Sequence, residues 1–464
     1  MNPIASVVGP ATPIGHGRPG DASAELVEID GRTVVLFRVG GTGATPGRRG
    51  GEEEAAAEVV ARALDLAAEM GVPVVGVVNT VHVDPRHLGG LHAWGQVAHK
   101  TVRLSGVVPL LVAVTGPCHG GLAPLLGLVD HVVFTEAASA FINGPHAVEA
   151  ISGIRLSSMD LGGPALHASG SGLVTEVVAD EDEAVAALAD ILAHLPDNNL
   201  ADPPVRHCTD PVDRRCALAA TIVPADSRAA YDVRHVIADV VDEGSLHEVY
   251  AAHAPNMVTA YAHLGGRPVA VIANQPFFRA GTLDIAASSK AARHVQSADS
   301  ANLPILTFVD TPGFEPGRDL EWAGMIRHGA ELVHAYAAAT VPRIGVILRK
   351  AYGGAYIVMD SKDMGSDVVF AWPRAEIAVM GASGAVAILN RREIDSAIDP
   401  EAERRRLVDD YTDNYCTPRI AAERGYVDAV IEPELTRAHL TGALSRLATK
   451  QVRFPTRRHS NTPL

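Results

Sequence analysis

The chain has 464 residues, more than one ordinary domain core takes, with 47% apolar and 20% charged residues, the profile of a globular protein of two or three domains. Its formal charge of −15 excludes nucleic acid and anionic membrane as general partners, because both require a basic surface. The four cysteines are widely spaced and form no Cys-x-x-Cys pair, which excludes a zinc ribbon and reads as a reduced, cytoplasmic protein; no apolar run reaches the ~20 residues of a spanning helix.

Residues 1–24 are rich in Pro and Gly and lack an apolar signal region, so they are expected as a flexible tail. Gly40–Gly51 forms a loose glycine cluster carrying Arg48 and Arg49, ahead of a helix expected over Glu52–Met70. A coenzyme A phosphate at Arg48 and Arg49 is one reading of this stretch, and a surface loop is the other. A buried strand follows in Pro73-Val-Val-Gly-Val-Val-Asn-Thr80, then a second in Val107-Val-Pro-Leu-Leu-Val-Ala-Val114 that runs into Gly120-Gly121. The dense set His82, Asp84, His87 and His92 has no standard helical ligand spacing and is not read as a metal site.

The same order returns later in the chain. Pro304-Ile-Leu-Thr-Phe-Val-Asp-Thr311 follows a helical stretch at 288–301, and Thr340-Val-Pro-Arg-Ile-Gly-Val-Ile347 runs into Gly353-Gly354. Asp130–Phe134 and Asp367–Phe370 form a further matching pair, each reaching a glycine, Gly144 or Gly381. These matches predict two copies of one α/β fold, over 25–195 and 229–464, joined by a proline-containing linker at 196–228. Each Gly-Gly pair is expected as a strand-to-helix turn whose main-chain N–H groups are bared at the helix start.

The second half resembles a known family. Arg349-Lys-Ala-Tyr-Gly-Gly-Ala-Tyr356, Phe370-Ala-Trp-Pro373, Ile377–Ala382, Asn274-Gln-Pro276, Val309-Asp-Thr-Pro-Gly-Phe314 and Ile326-Arg-His-Gly329 are similar to the biotin-binding half of acyl-CoA carboxylase β subunits. Ala421–Ala429 and Asn461-Thr-Pro-Leu464 match as well. The first half is similar to the acyl-CoA half through Ser105–Pro109, Gly116-Pro-Cys-His-Gly-Gly121, Phe141-Ile-Asn-Gly-Pro145, Leu161-Gly-Gly163 and Leu195–Asn199.

The resemblance implies two tandem crotonase-like domains and a carboxyltransferase that moves a carboxyl group from carboxybiotin to the α-carbon of an acyl-CoA. It implies main-chain donors at Gly120 and Gly121 for the thioester oxygen, and at Gly354 and Ala355 for the biotin carbonyl. His119, Gly144, Tyr356 and Ile357 would line the substrate pocket, and the ureido anion of biotin would take the α-proton. No metal is expected in this subunit. The chain has no Met-Lys-Met biotinylation motif, so biotin would arrive on a separate carrier, normally in an α subunit holding biotin carboxylase. The family further implies a homo-hexamer, a trimer of dimers, with each site between the first half of one chain and the second half of another.

Departures from the family cluster in the first half: the loop Gly40–Gly47, the stretch Val81–His87, and His119 before the glycine pair. His119 is read as a histidine of the pocket wall rather than an acid or base. The alternatives are a different acceptor, such as a carrier-protein thioester or a specialised-metabolite precursor; a biotin-independent malonyl-thioester decarboxylase; or a non-catalytic partner subunit.

Overall fold

The computed structural model describes residues 11–16, 22–40, 52–79 and 88–463, which divide into two compact units. One comprises Met1–Pro204 with Tyr250–His253 and Ser300–Asn302, and the other holds the remainder from Val205.

The described residues of the first unit build a seven-stranded sheet in the order β1 (Thr12–His16), β2 (Ala22–Ile29), β3 (Arg32–Val39), β4 (Val74–Val78), β5 (Leu110–Val114), β7 (His131–Thr135) and β9 (Glu176–Val178). Strand β1, which lies inside the stretch expected as a tail, pairs antiparallel with β2, and β2 with β3; the later neighbours are parallel. Parallel strands need crossovers, supplied here by α1 (Glu52–Met70) and α2 (Leu88–Leu104). Strands β4, β5 and β7 are buried along their whole length, which is why they read as continuous apolar runs without alternation. A separate parallel pair, β6 (Pro117–His119) and β8 (Ser139–Phe141), stands beyond the end of β5.

The second unit repeats this plan. An antiparallel hairpin, β11 (Met257–Leu264) and β12 (Arg267–Asn274), leads into parallel β13 (Ile305–Thr311), β14 (Arg343–Tyr352), β15 (Val368–Ala371) and β17 (Ala429–Val430), with β10 (His247–Val249) on the outer side of β11. Strand β16 (Glu376–Ala378) pairs with the end of β14 as β8 pairs with β6. All ten residues of β14 are buried although Arg343, Arg349 and Lys350 are among them. Burying a charge costs several kcal/mol unless it is paired. Arg343 Nη1 donates to Asp360 Oδ1 at 2.6 Å, and Arg349 is matched by Asp310.

The glycines matched in the sequence also occupy equivalent places. Gly144 caps the N-terminus of α3 (Pro145–Ser152), and Gly381 caps that of α4 (Ala382–Leu389). No helix among the described residues is long and apolar enough to cross a membrane.

Candidate active site

Strand β14 carries a bulge. Val309 faces Ile347 and Thr311 faces Ala351, so Asp310 alone stands opposite Leu348, Arg349 and Lys350. Bulges of this kind leave main-chain groups unpaired and re-aim the strand. Asp310, fully buried, satisfies this one: it accepts from the Lys350 N–H at 3.1 Å and from Arg349 Nε at 2.9 Å. The Tyr231 hydroxyl donates to the same carboxylate at 2.9 Å, and Arg349 lies over the Tyr231 ring. Burial and the neighbouring Asp310 charge hold the Tyr231 proton well above the usual phenol range. Arg349 Nη1 also donates to the carbonyls of Asp226 and Ala229, each at 2.9 Å, and Lys350 Nζ to that of Ser227 at 3.1 Å.

Past the bulge, β14 changes neighbour. Up to Ile347 it pairs with β15, and from Lys350 to Tyr352 it pairs with β16. A cleft of about 200 Å³ opens at this split, lined by Ser227, Leu348, Arg349, Trp372, Glu376 and Glu432 among others. Tyr352 is buried and its hydroxyl donates to Glu376; burial first, then this carboxylate, pushes the phenol pKa far up, so the proton stays on tyrosine.

The chain then turns sharply. Gly353 has φ 59°, a left-handed value that glycine takes without steric cost, and α5 (Gly353–Val358) starts there with Tyr352 as its cap. The first N–H groups of a helix have no partner within it, so Gly353, Gly354 and Ala355 present donors. Gly354 is exposed, Ala355 is fully buried, and the Phe314 ring sits 3.4 Å from where a Gly354 side chain would begin.

The first unit has a counterpart. Gly120 has φ 71° and directly follows His119, the last residue of β6. The helix it opens, Gly120–Gly127, is 3-10 rather than α and contains Pro124. Gly121 packs against Trp94, whose ring leaves no room for a side chain there, and Trp94 Nε1 donates to Glu53 at 2.8 Å. Asn79, which follows β4 as Asp310 sits near the end of β13, lies against Gly116 in the break between β5 and β6.

Comparison with known proteins decides the family. The carboxyl transferase domain matches residues 28–462. The chain is 42% identical to the propionyl-CoA carboxylase carboxyltransferase subunit of Haloferax mediterranei, over 94% of this chain and 84% of that one. It is 39% identical to the methylmalonyl-CoA decarboxylase subunit alpha of Veillonella parvula, with the same shares covered. The crystal structure of transcarboxylase 12S, a hexamer assembly with methylmalonyl-coenzyme A and methylmalonic acid bound, superposes with a TM-score of 0.93 at 37% identity, covering 100% of this chain and 91% of the other.

The chain belongs to the carboxyl transferase family. The resemblance read from the sequence therefore holds, and the α/β fold is the family's crotonase-like one, carried by an enzyme.

In this carboxyl transferase, Gly120 and Gly121 sit together at one turn, and Gly354, Ala355, Tyr356 and Ile357 at the other. Ile357 is 50% exposed, and the Tyr356 hydroxyl reaches the Tyr426 carbonyl at 3.5 Å. Burial raises the Tyr356 phenol to about 12. His119 stacks on Phe141, its partner across the β6–β8 pair, with ring centroids 5.9 Å apart and planes 22° apart. Gly144 stands three residues past Phe141. Arg48 and Arg49 lie outside the described residues, as do His82, Asp84 and His87. Among the described residues no group of three or more His, Cys, Asp or Glu side chains could hold a metal ion.

The motifs Val309–Phe314 and Arg349–Tyr356 are visible in the sequence, but the roles of Asp310, Arg349 and Tyr352 within them are not. The available signal was charge: an aspartate in one apolar strand run, and an Arg-Lys pair in the next.

Proposed function

We propose that this enzyme transfers a carboxyl group from carboxybiotin, held by a separate carrier protein, to the α-carbon of an acyl-CoA. The observation that carries the reading is the pair of equivalent glycine turns, each with a left-handed first glycine at the end of a parallel strand, within the carboxyl transferase family. Charge develops on the thioester oxygen when the α-proton leaves. The Gly120 and Gly121 N–H groups are assigned to that oxygen, and those of Gly354 and Ala355 to the biotin carbonyl. Removing one such donor costs about 3–4 kcal/mol of barrier.

Carboxybiotin supplies the activated carboxyl group and, after giving it up, the base that takes the α-proton. The residues around the second turn fit a planar ureido ring: Gly354 has no side chain, stays exposed, and has the Phe314 ring beside it. His119 is assigned with Phe141 to a wall of the acyl site, and Ile357 and Tyr356 are assigned to the substrate pocket. Gly144, as the cap of a helix, completes the first site.

A propionyl-type acceptor is favoured by the relatives, a propionyl-CoA carboxylase and a methylmalonyl-CoA decarboxylase among them. Since one of those relatives is a decarboxylase subunit, the fold serves removal as well as addition of the carboxyl group. We further infer a hexamer, as in transcarboxylase 12S, and an α subunit bearing biotin carboxylase and the carrier. Exposed Ile142, Ile151 and Ile154 in the first unit, and Val379, Ile388 and Leu389 in the second, suit burial at subunit contacts.

The test supplies the full chain with a biotinylated carrier, biotin carboxylase, ATP and bicarbonate, and reads a panel of acyl-CoAs by mass spectrometry. A carboxylated acyl-CoA is expected, and Gly354→Pro, which deletes a donor, should abolish it. Absence of product from every acyl-CoA would overturn the reading. Carbon dioxide release from malonyl-CoA by the chain alone, without biotin, would replace it with the decarboxylase alternative.

A further inference from the structure

Two carboxylates grip the end of β14 from opposite sides, just before the turn that opens α5. From β13, Asp310 accepts from the Lys350 main chain and the Arg349 side chain. From β16, Glu376 accepts from the Tyr352 hydroxyl. Tyr352 is the N-terminal cap of α5, two residues ahead of Gly354. The bulge would otherwise leave this strand end free to shift, because three of its residues face one of β13. The first unit has a related device, with Asn79 packed against Gly116 at the break before its own glycine turn.

We propose that Asp310 and Glu376 are positioning residues for carboxyl transfer, fixing the donor pair of Gly354 and Ala355 through the main chain of β14. Asp310 is fully buried and Glu376 is held by the Tyr352 hydroxyl, so each is assigned to act through β14. The inference rests on the reading that this turn holds the biotin carbonyl. Its consequence is selective: loosening the grip should weaken the biotin side of the reaction and leave the acyl-CoA side alone. A shift of about 1 Å in a positioned group costs up to ~100-fold in rate.

The test uses the assembled full-length enzyme running transfer from methylmalonyl-CoA to free biotin. In that direction the carboxyl group leaves the acyl α-carbon for the ureido nitrogen, and the nitrogen's proton ends on the α-carbon. Tyr352→Phe and Glu376→Leu each delete the same hydrogen bond, and Glu376→Gln keeps an acceptor. Tyr352→Phe and Glu376→Leu are expected to raise KM for biotin about tenfold with KM for methylmalonyl-CoA unchanged. The double variant should be no worse than either single one, and Glu376→Gln should restore the biotin KM. Asp310→Asn is expected to behave like Tyr352→Phe, and the Tyr352 and Glu376 variants keep the test open if it fails to fold.

A fall in melting temperature with kcat and both KM values unmoved would reduce the grip to a structural role and overturn the proposal. So would equal changes in both KM values. Gly354→Pro separates the two levels. If it abolishes transfer while the Tyr352 and Glu376 variants leave the biotin KM untouched, only the positioning proposal falls; if it leaves transfer intact, the assignment of the turn to biotin falls with it.

Discussion

Gly120 and Gly353 adopt the same left-handed backbone, φ 71° and φ 59°, each directly after the last residue of a strand in a parallel pair. A side chain in this conformation costs about 1–2 kcal/mol. At 353 a Cβ would also press on the Val379 carbonyl at 3.1 Å. Gly120→Ala and Gly353→Ala are each expected to lower kcat for carboxyl transfer by about 10- to 100-fold, because the donors that follow are turned. Denaturant unfolding should register the ~1–2 kcal/mol of backbone strain, and more at 353 where the Val379 carbonyl must give. Steady-state kinetics and unfolding on the same preparations check both halves.

The second glycines of the two pairs should behave differently. A Cβ at Gly121 would lie 2.6 Å from Trp94 Cδ1, in a ring that is 3% exposed and tied to Glu53. Overpacking a site of this kind costs about 1–3 kcal/mol. At Gly354 the nearest atom is Phe314 Cε2 at 3.4 Å, an ordinary contact. Gly121→Ala is therefore expected to lower stability by about 1–3 kcal/mol, and Gly354→Ala by less than about 0.5 kcal/mol. Chemical denaturation of the two variants beside the parent measures the difference.

His119 stacks on Phe141, and a phenylalanine in its place keeps that stack. His119→Phe is expected to stay within about tenfold of the parent, with the same pH profile of kcat/KM. A general acid or base contributes about 10²–10⁴-fold. A loss of that size, together with a missing limb of the profile, would assign His119 a proton-transfer role.

Acid should destabilise the second unit through two buried histidines. Burial depresses His294 and His263 from 6.5 to about 4, and the nearby Arg206 charge adds to the effect at His263. Both are thus neutral in the folded chain, where His294 Nε2 meets the Ala260 carbonyl at 3.0 Å. Between pH 6.5 and about 4 the unfolded chain binds protons that the folded one does not, so stability falls as pH falls through that window. Displacements of this size are worth a few kcal/mol per group. Thermal melts across the window should show the decline, and His294→Gln should flatten it.

Much of the fold was legible in the sequence because parallel strands buried on both faces must be written as apolar runs. The runs around Val74–Val78, Leu110–Val114 and Ile305–Thr311 were readable for that reason, and α1 fell on the expected bounds of Glu52–Met70. Repetition of the same order located both glycine turns. The bulge at Leu348–Lys350 was not legible, since its partner Asp310 lies 40 residues from Lys350 in the chain and a local pattern carries no register. Nor was the exchange of β15 for β16, which depends on that bulge. The 3-10 form of Gly120–Gly127 was missed because a glycine pair followed by leucines reads equally as the start of an α-helix.

The most direct measurement is a structure of the assembled enzyme with a biotinylated ligand bound. The ureido oxygen is expected about 3 Å from the main-chain nitrogens of Gly354 and Ala355, beside the Phe314 ring. Biotin seated elsewhere, with those two amides hydrogen-bonded to other protein atoms, would contradict it.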